Sequence, residues 1–98
     1  MQKFLHTLGT LPSCPETILL MNSGVKLITA ESPVMHEMKD LESQGVEILA
    51  CGTCLARLEL TEKVAAGKIS NMDEITGKML QAHKVISVWD GYIIPRSN

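Results

Sequence analysis

Apolar residues along the chain fall into two patterns. "TILLM" at residues 17–21 is a continuous apolar run of strand length, which suits a strand covered on both faces, and "VEILA" at 46–50 and "KVISVW" at 84–89 read as further strands. Between them the apolar positions recur at helical spacing. Phe4, Leu5, Leu8 and Leu11 mark an opening helix over 3–11, and Val34, Met38 and Leu41 a second helix, with Glu37, Lys39, Asp40 and Glu42 on its outer side. Met72, Ile75 and Met79 form the apolar stripe of a later helix.

Punctuating residues set the boundaries. "LPSCPE" carries two prolines and ends the first helix. "NSG" turns the chain after the first strand, with Gly24 free to take positive φ. Residues 25–30, "VKLITA", read as a helical turn, with a strand as the alternative. Ser32 as N-cap and Pro33 at the first helical position open the second helix, which runs to about Ser43 and ends at Gly45. Residues 55–66 read as helical, in one piece or in two with Thr61 as a second cap, up to Gly67. "KIS" is a short third strand, Ser70 and Asp73 fit a capping box, and "YII" adds an extended piece near the end.

Strand, helix, strand, helix with apolar strands predicts an α/β fold, a parallel sheet with helices on both faces and right-handed crossovers. In such sheets ligands bind at the carboxyl ends of the strands. "NSG", "CGTC" and "SN" would all lie along that edge. The 98 residues suffice for one domain with a single modest core, so a partner subunit is expected to help, and an exposed "YII" points the same way, to a homo-oligomer.

A hydrophobic share of 45% with 20% charged residues marks a folded globular chain. The net charge of −2 and the 3% aromatic content supply neither a phosphate-binding surface nor stacking platforms, so nucleic acid is disfavoured. "MQKFLHTLGTLPSC" lacks the layout of a secretion signal, and no apolar run approaches the ~18 residues a membrane span requires. The expectation is a cytoplasmic protein whose three cysteines are thiols.

Two of those thiols stand two residues apart at a strand-to-helix junction. Cys51 closes the second strand, and helix N-terminal amides there favour the thiolate, the nucleophilic form. Gly52 lets backbone approach a bound sulfur atom closely. Cys54, one turn on, is placed to close a disulfide with Cys51 or exchange a sulfur atom with it. Arg57 would hold an anion such as a persulfide on the same side. The plainer reading is that a free cysteine is a small buried apolar residue, and it weighs more on Cys54 than on Cys51, whose strand-to-loop position is where reactive groups usually sit. For Cys14, beside a proline ahead of a strand, inert packing or an exposed thiol is the preferred reading. A closed zinc site takes four ligands, and one C-x-x-C without a second pair does not supply them, so no metal is expected. His6, His36 and His83 read as surface or boundary residues. There is no P-loop, dinucleotide fingerprint or G-x-S-x-G, and no cofactor is expected.

The blocks "NSGVKL", "SPVMHEMKDLESQGVEILACGTCL" and "ISNMDEI", in this order between about Leu5 and Val88, resemble the DsrE/DsrF-like family. More narrowly they resemble its YedF-like branch, which is connected with sulfur transfer and selenium metabolism. The resemblance implies a three-layer α/β/α fold of flavodoxin-like type and assembly into oligomers. It also implies that Cys51 occupies the position at which relay members carry a persulfide between sulfur donor and acceptor proteins. Cys54 belongs to the YedF-like version. "CPET" matches half of a Cys-Pro-x-Pro motif, so no sulfur-carrier role is transferred to Cys14.

The sequence therefore predicts sulfur handling, with Cys51 and Cys54 reactive and Asn22, Ser23, Gly24, Gly52, Thr53, Arg57 and Asn71 around the substrate. A C-x-x-C dithiol redox module and a non-catalytic binding subunit are the rivals.

Overall fold

The computed structural model of the chain describes residues 6–7, 15–88 and 91–95. His6 and Thr7 are helical; the rest of the expected opening helix, "LPSC" with Cys14, and Trp89 lie outside the described residues. Five strands form one sheet: β1 (Pro15–Leu20), β2 (Glu47–Cys51), β3 (Lys68–Ser70), β4 (Ile86–Val88) and β5 (Gly91–Pro95), in the order β3-β2-β1-β5-β4. β1, β2 and β3 pair in parallel, and β5 runs antiparallel between β1 and β4. The sheet is thus mixed and mainly parallel, in a three-layer α/β/α arrangement of the expected kind.

Side chains of β1 and β2 alternate between the two faces, as extended backbone requires. Ile18, Leu20, Ile48 and Ala50 meet Val25, Ile28, Val34, Met38, Leu41 and Leu55 on one face. These come from a 3-10 helix (Asn22–Ile28), helix α1 (Met35–Ser43) with Val34 just before it, and the short helix α2 (Gly52–Arg57). Leu19, Leu49 and Cys51 meet Ile75 and Ile94 on the other face, beneath helix α3 (Met72–Gln81). Burial on both sides explains why "TILL" and "EILAC" are apolar without alternation. Each fully buried Leu or Ile contributes roughly 1.5–3 kcal/mol. Lys78 of α3 reaches Glu47 at the start of β2, 2.9 Å away; both are about one-third exposed, so solvent screening keeps this tether to about 0.5 kcal/mol.

Several expectations are corrected. Asn22 (φ 53°), not Gly24, turns the chain after β1 in the left-handed region, which asparagine tolerates. α1 begins at Met35 rather than at Pro33, although the Ser32 hydroxyl does accept a hydrogen bond from the Val34 N–H at 3.2 Å. Glu37, expected outside, is buried. Of the two readings of residues 55–66 the two-piece one holds, with other bounds: α2 starts at Gly52 and stops at Arg57, and Thr61–Lys63 form a further 3-10 turn, without a side-chain cap from Thr61. Helix α3 is capped by Asn71, whose Oδ1 accepts from the Glu74 N–H at 2.8 Å, not by a Ser70–Asp73 pair. The fourth strand shrinks to Ile86–Val88 at the sheet edge. "YII", expected to be exposed, lies inside the sheet, with Ile93 and Ile94 buried, because β1 needs a partner on its second edge.

The ends of α1 and α2 have one physical form. In each, a residue in the left-handed region is followed by an N–H that reaches back five residues: Val46 to the Leu41 carbonyl at 3.1 Å, and Leu60 to the Leu55 carbonyl at 2.8 Å. In α1 the left-handed residue is Gly45; in α2 it is Glu59, at φ 59°. No glycine signals the second stop. The freed segment then pairs with the chain after the first 3-10 helix, through Ala30 N–H to the Lys63 carbonyl and Ala65 N–H to the Ile28 carbonyl.

Two substitutions test this backbone account. Gly67 has φ +71°, and a Cβ there would lie 2.9 Å from the Ile48 carbonyl oxygen, so Gly67→Ala should destabilise by about 2 kcal/mol or more. Glu59→Gly removes a left-handed non-glycine residue and should stabilise by roughly 0.5–1 kcal/mol. Urea midpoints at unchanged slope read both.

Candidate thiol site

Parallel pairing places the carboxyl ends of β1, β2 and β3 on one edge, with Leu20 opposite Ala50 and Cys51 opposite Ser70. The three loops singled out by sequence therefore converge there. Cys51 is the last residue of β2 and stands immediately before α2. Its side chain takes the α3 side of the sheet, among Leu49, Ile75 and Leu19, and is only 2% exposed. The thiol donates to the thioether Sδ of Met72, 3.8 Å away.

Burial pushes the Cys51 thiol up. The backbone and side chain of Cys54, with those of Thr53, hydrogen-bond to it and more than offset burial, leaving Cys51 below its ordinary value. The α2 backbone begins at Gly52, packed so closely on β3 that a Cβ would come within 3.1 Å of the Ser70 carbonyl oxygen. That close approach holds the amides of residues 53 and 54 over the strand end.

Cys54 is half-buried and packs against both apolar clusters, so it stands at the seam between the two sides of the sheet. It also lines a cleft of about 180 Å³ with Asn22, Ser23, Arg57 and Leu58. Asn22, Ser23 and Arg57 thus gather around Cys54, whereas Thr53 serves Cys51. Gly24 sits inside the 3-10 helix, its N–H bonded to the Met21 carbonyl at 2.9 Å. Asn71 is committed to capping α3. Among the described residues no group of three or more His, Cys, Asp or Glu side chains is placed to hold a metal ion.

Sequence reasoning missed Met72, Ser70 and Glu74. Met72, expected on the apolar stripe of its helix, is 47% exposed yet accepts the Cys51 thiol on its Sδ. The buried Ser70 hydroxyl hydrogen-bonds the Glu74 carboxylate, which with the Asn71 cap fixes the start of α3 beside β3. The signal was present as N-x-x-E, Asn71 followed three residues later by Glu74, one residue out of step with the S-x-x-D pattern.

The model of the DsrE/DsrF-like family matches residues 16–88, which span every element from β1 to β4. The chain belongs to the DsrE/DsrF-like family. No curated protein and no solved structure matches it. The DsrE/DsrF-like family is generally linked to sulfur relay. Among the described residues, no helix is long and apolar enough to cross a membrane.

The hydrogen bonds to Cys51 make a direct prediction. Thiolate absorbance followed against pH should show Cys51 ionising below the ordinary thiol range, and Cys54→Ala, which removes one donor, should move that midpoint upward. Cys54→Ser, which keeps a hydroxyl donor, should move it less. An unchanged midpoint in both variants would contradict the assigned cause.

Proposed function

We propose that the chain is a sulfur-handling protein, sulfurtransferase-like or a sulfur carrier, in which Cys51 accepts sulfane sulfur as a persulfide. The observation that carries this reading is the position of Cys51: a strand-end thiol in a DsrE/DsrF-like chain, with amide and side-chain donors that favour its thiolate. The thiolate attacks the outer sulfur of a donor protein's persulfide. A new S–S bond forms on Cys51, the donor's S–S bond breaks, and the donor leaves as a thiolate that takes up a proton. An acceptor thiolate then attacks the terminal sulfur of Cys51 and restores the free thiol. No electrons are gained or lost overall.

Cys54 is the second thiol of the relay. Attack by its thiolate on the outer sulfur passes that atom to the cleft with Asn22, Ser23 and Arg57, where the guanidinium attracts an anionic persulfide. Attack on the inner sulfur instead gives a Cys51–Cys54 disulfide and releases hydrosulfide. A reducing compartment, the cytoplasm, suits both thiols. The C-G-T-C spacing favours the YedF-like branch and leaves both sulfur and selenium within range as cargo. Donor and acceptor proteins are the partners, and assembly of several copies fits so small a core.

Cys51→Ser should abolish sulfur loading from a sulfane-sulfur donor while leaving the unfolding free energy, read from urea denaturation, within about 1 kcal/mol of the parent. Cys54→Ser should still load, hold its persulfide longer and release less hydrosulfide. Loading retained in the Cys51→Ser variant would overturn the assignment.

A further inference from the structure

The polar and apolar neighbours of Cys51 differ in how firmly they are held. Leu19, Leu49, Ile75 and Ile94 are buried parts of the sheet and of α3, none more than 4% exposed. Met72 is different. It is the first residue of α3, 47% exposed, and its Sδ lies 3.8 Å from the Cys51 Sγ. Thr53, exposed, and Cys54, half-buried, also touch the thiol, but both stand in the first turn of α2 and hydrogen-bond to it, whereas Met72 offers an unbranched side chain with three rotatable bonds, which can swing aside without backbone movement. The backbone beneath it is pinned, because Asn71 caps α3 and Ser70 binds Glu74.

A nucleophile reacts when the incoming atom comes within about 3–3.5 Å in line with it. With Cys51 only 2% exposed, a reagent reaches that distance only after a neighbouring side chain moves. The Met72 thioether stands close to where the incoming sulfur atom has to stand, and it is an atom of the same size and softness.

We propose that Met72 is the gate of Cys51: its side chain covers the thiol, swings out to admit a sulfur-bearing reactant, and closes again over the loaded cysteine. Met72 holds no reacting atom and acts by controlling access. The bearing of this gate on sulfur loading rests on the function proposed above, whereas the gate itself is tested without sulfane sulfur.

The test is alkylation of the reduced full chain by iodoacetamide at fixed pH, with Cys51 and Cys54 resolved by peptide mass spectrometry. Met72→Ala should raise the Cys51 rate about fivefold or more, as expected when a local opening step is removed. Met72→Leu, which keeps the bulk, should stay within about twofold of the parent. Cys54 provides the internal control and should react at one rate in all three proteins. An unchanged Cys51 rate in Met72→Ala, a Met72→Leu variant as fast as Met72→Ala, or a parallel rise at Cys54 that signals general loosening would each overturn the gate. A working gate in a protein that takes up no sulfane sulfur would remove the sulfur reading alone.

Discussion

The parallel pairing of β1, β2 and β3 is the constraint on which the rest depends. Once Leu20 lies opposite Ala50 and Cys51 opposite Ser70, three strand ends share one edge and three loops must turn there. The pleat then divides the residues of β2 between the two faces. Ile48 and Ala50 go to the larger core, and Leu49 and Cys51 to the thinner layer under α3. A one-residue slip in β2 would send Cys51 into the larger core and leave no thiol under Met72.

Two opposed effects act on Cys51 at that edge. Burial removes water and disfavours a thiolate, while the donors of Thr53 and Cys54 favour it and win. A site of this kind keeps a reactive sulfur out of bulk solvent without making it inert. The price is access, since a thiol that is 2% exposed reacts only after something moves. The two cysteines differ in position: Cys51 is held in the apolar layer, and Cys54 stands at the seam with the cleft of Asn22, Ser23 and Arg57.

Much of this was legible in the chain. The continuous run at 17–21 identified a doubly covered strand, 46–50 was placed as a second strand, Gly45 marked the end of α1, and Cys51 was placed at the strand end where the structure has it. The stop of α2 was not legible, because Glu59 takes a conformation that glycine usually announces and tertiary pairing of residues 28–30 with 63–65 decides the outcome. The antiparallel insertion of β5 was hidden for a related reason. "YII" is apolar whether it lies in the sheet or on a subunit surface, and only the open edge of β1 distinguishes the two. The role of Met72 was illegible because a helical stripe counts methionine as core, and the contact with Cys51 joins residues 21 positions apart.

The function proposed for Cys51 is that of a sulfur acceptor and not of one half of a routinely cycling disulfide. It is tested most directly by peptide-mapped mass spectrometry of the reduced, unmodified protein after exposure to a sulfane-sulfur donor. A reducible gain of one sulfur atom on the Cys51 peptide is the predicted result. A loss of two hydrogens linking Cys51 to Cys54 with no sulfur-bearing species at any time, or no change at either thiol, would contradict it.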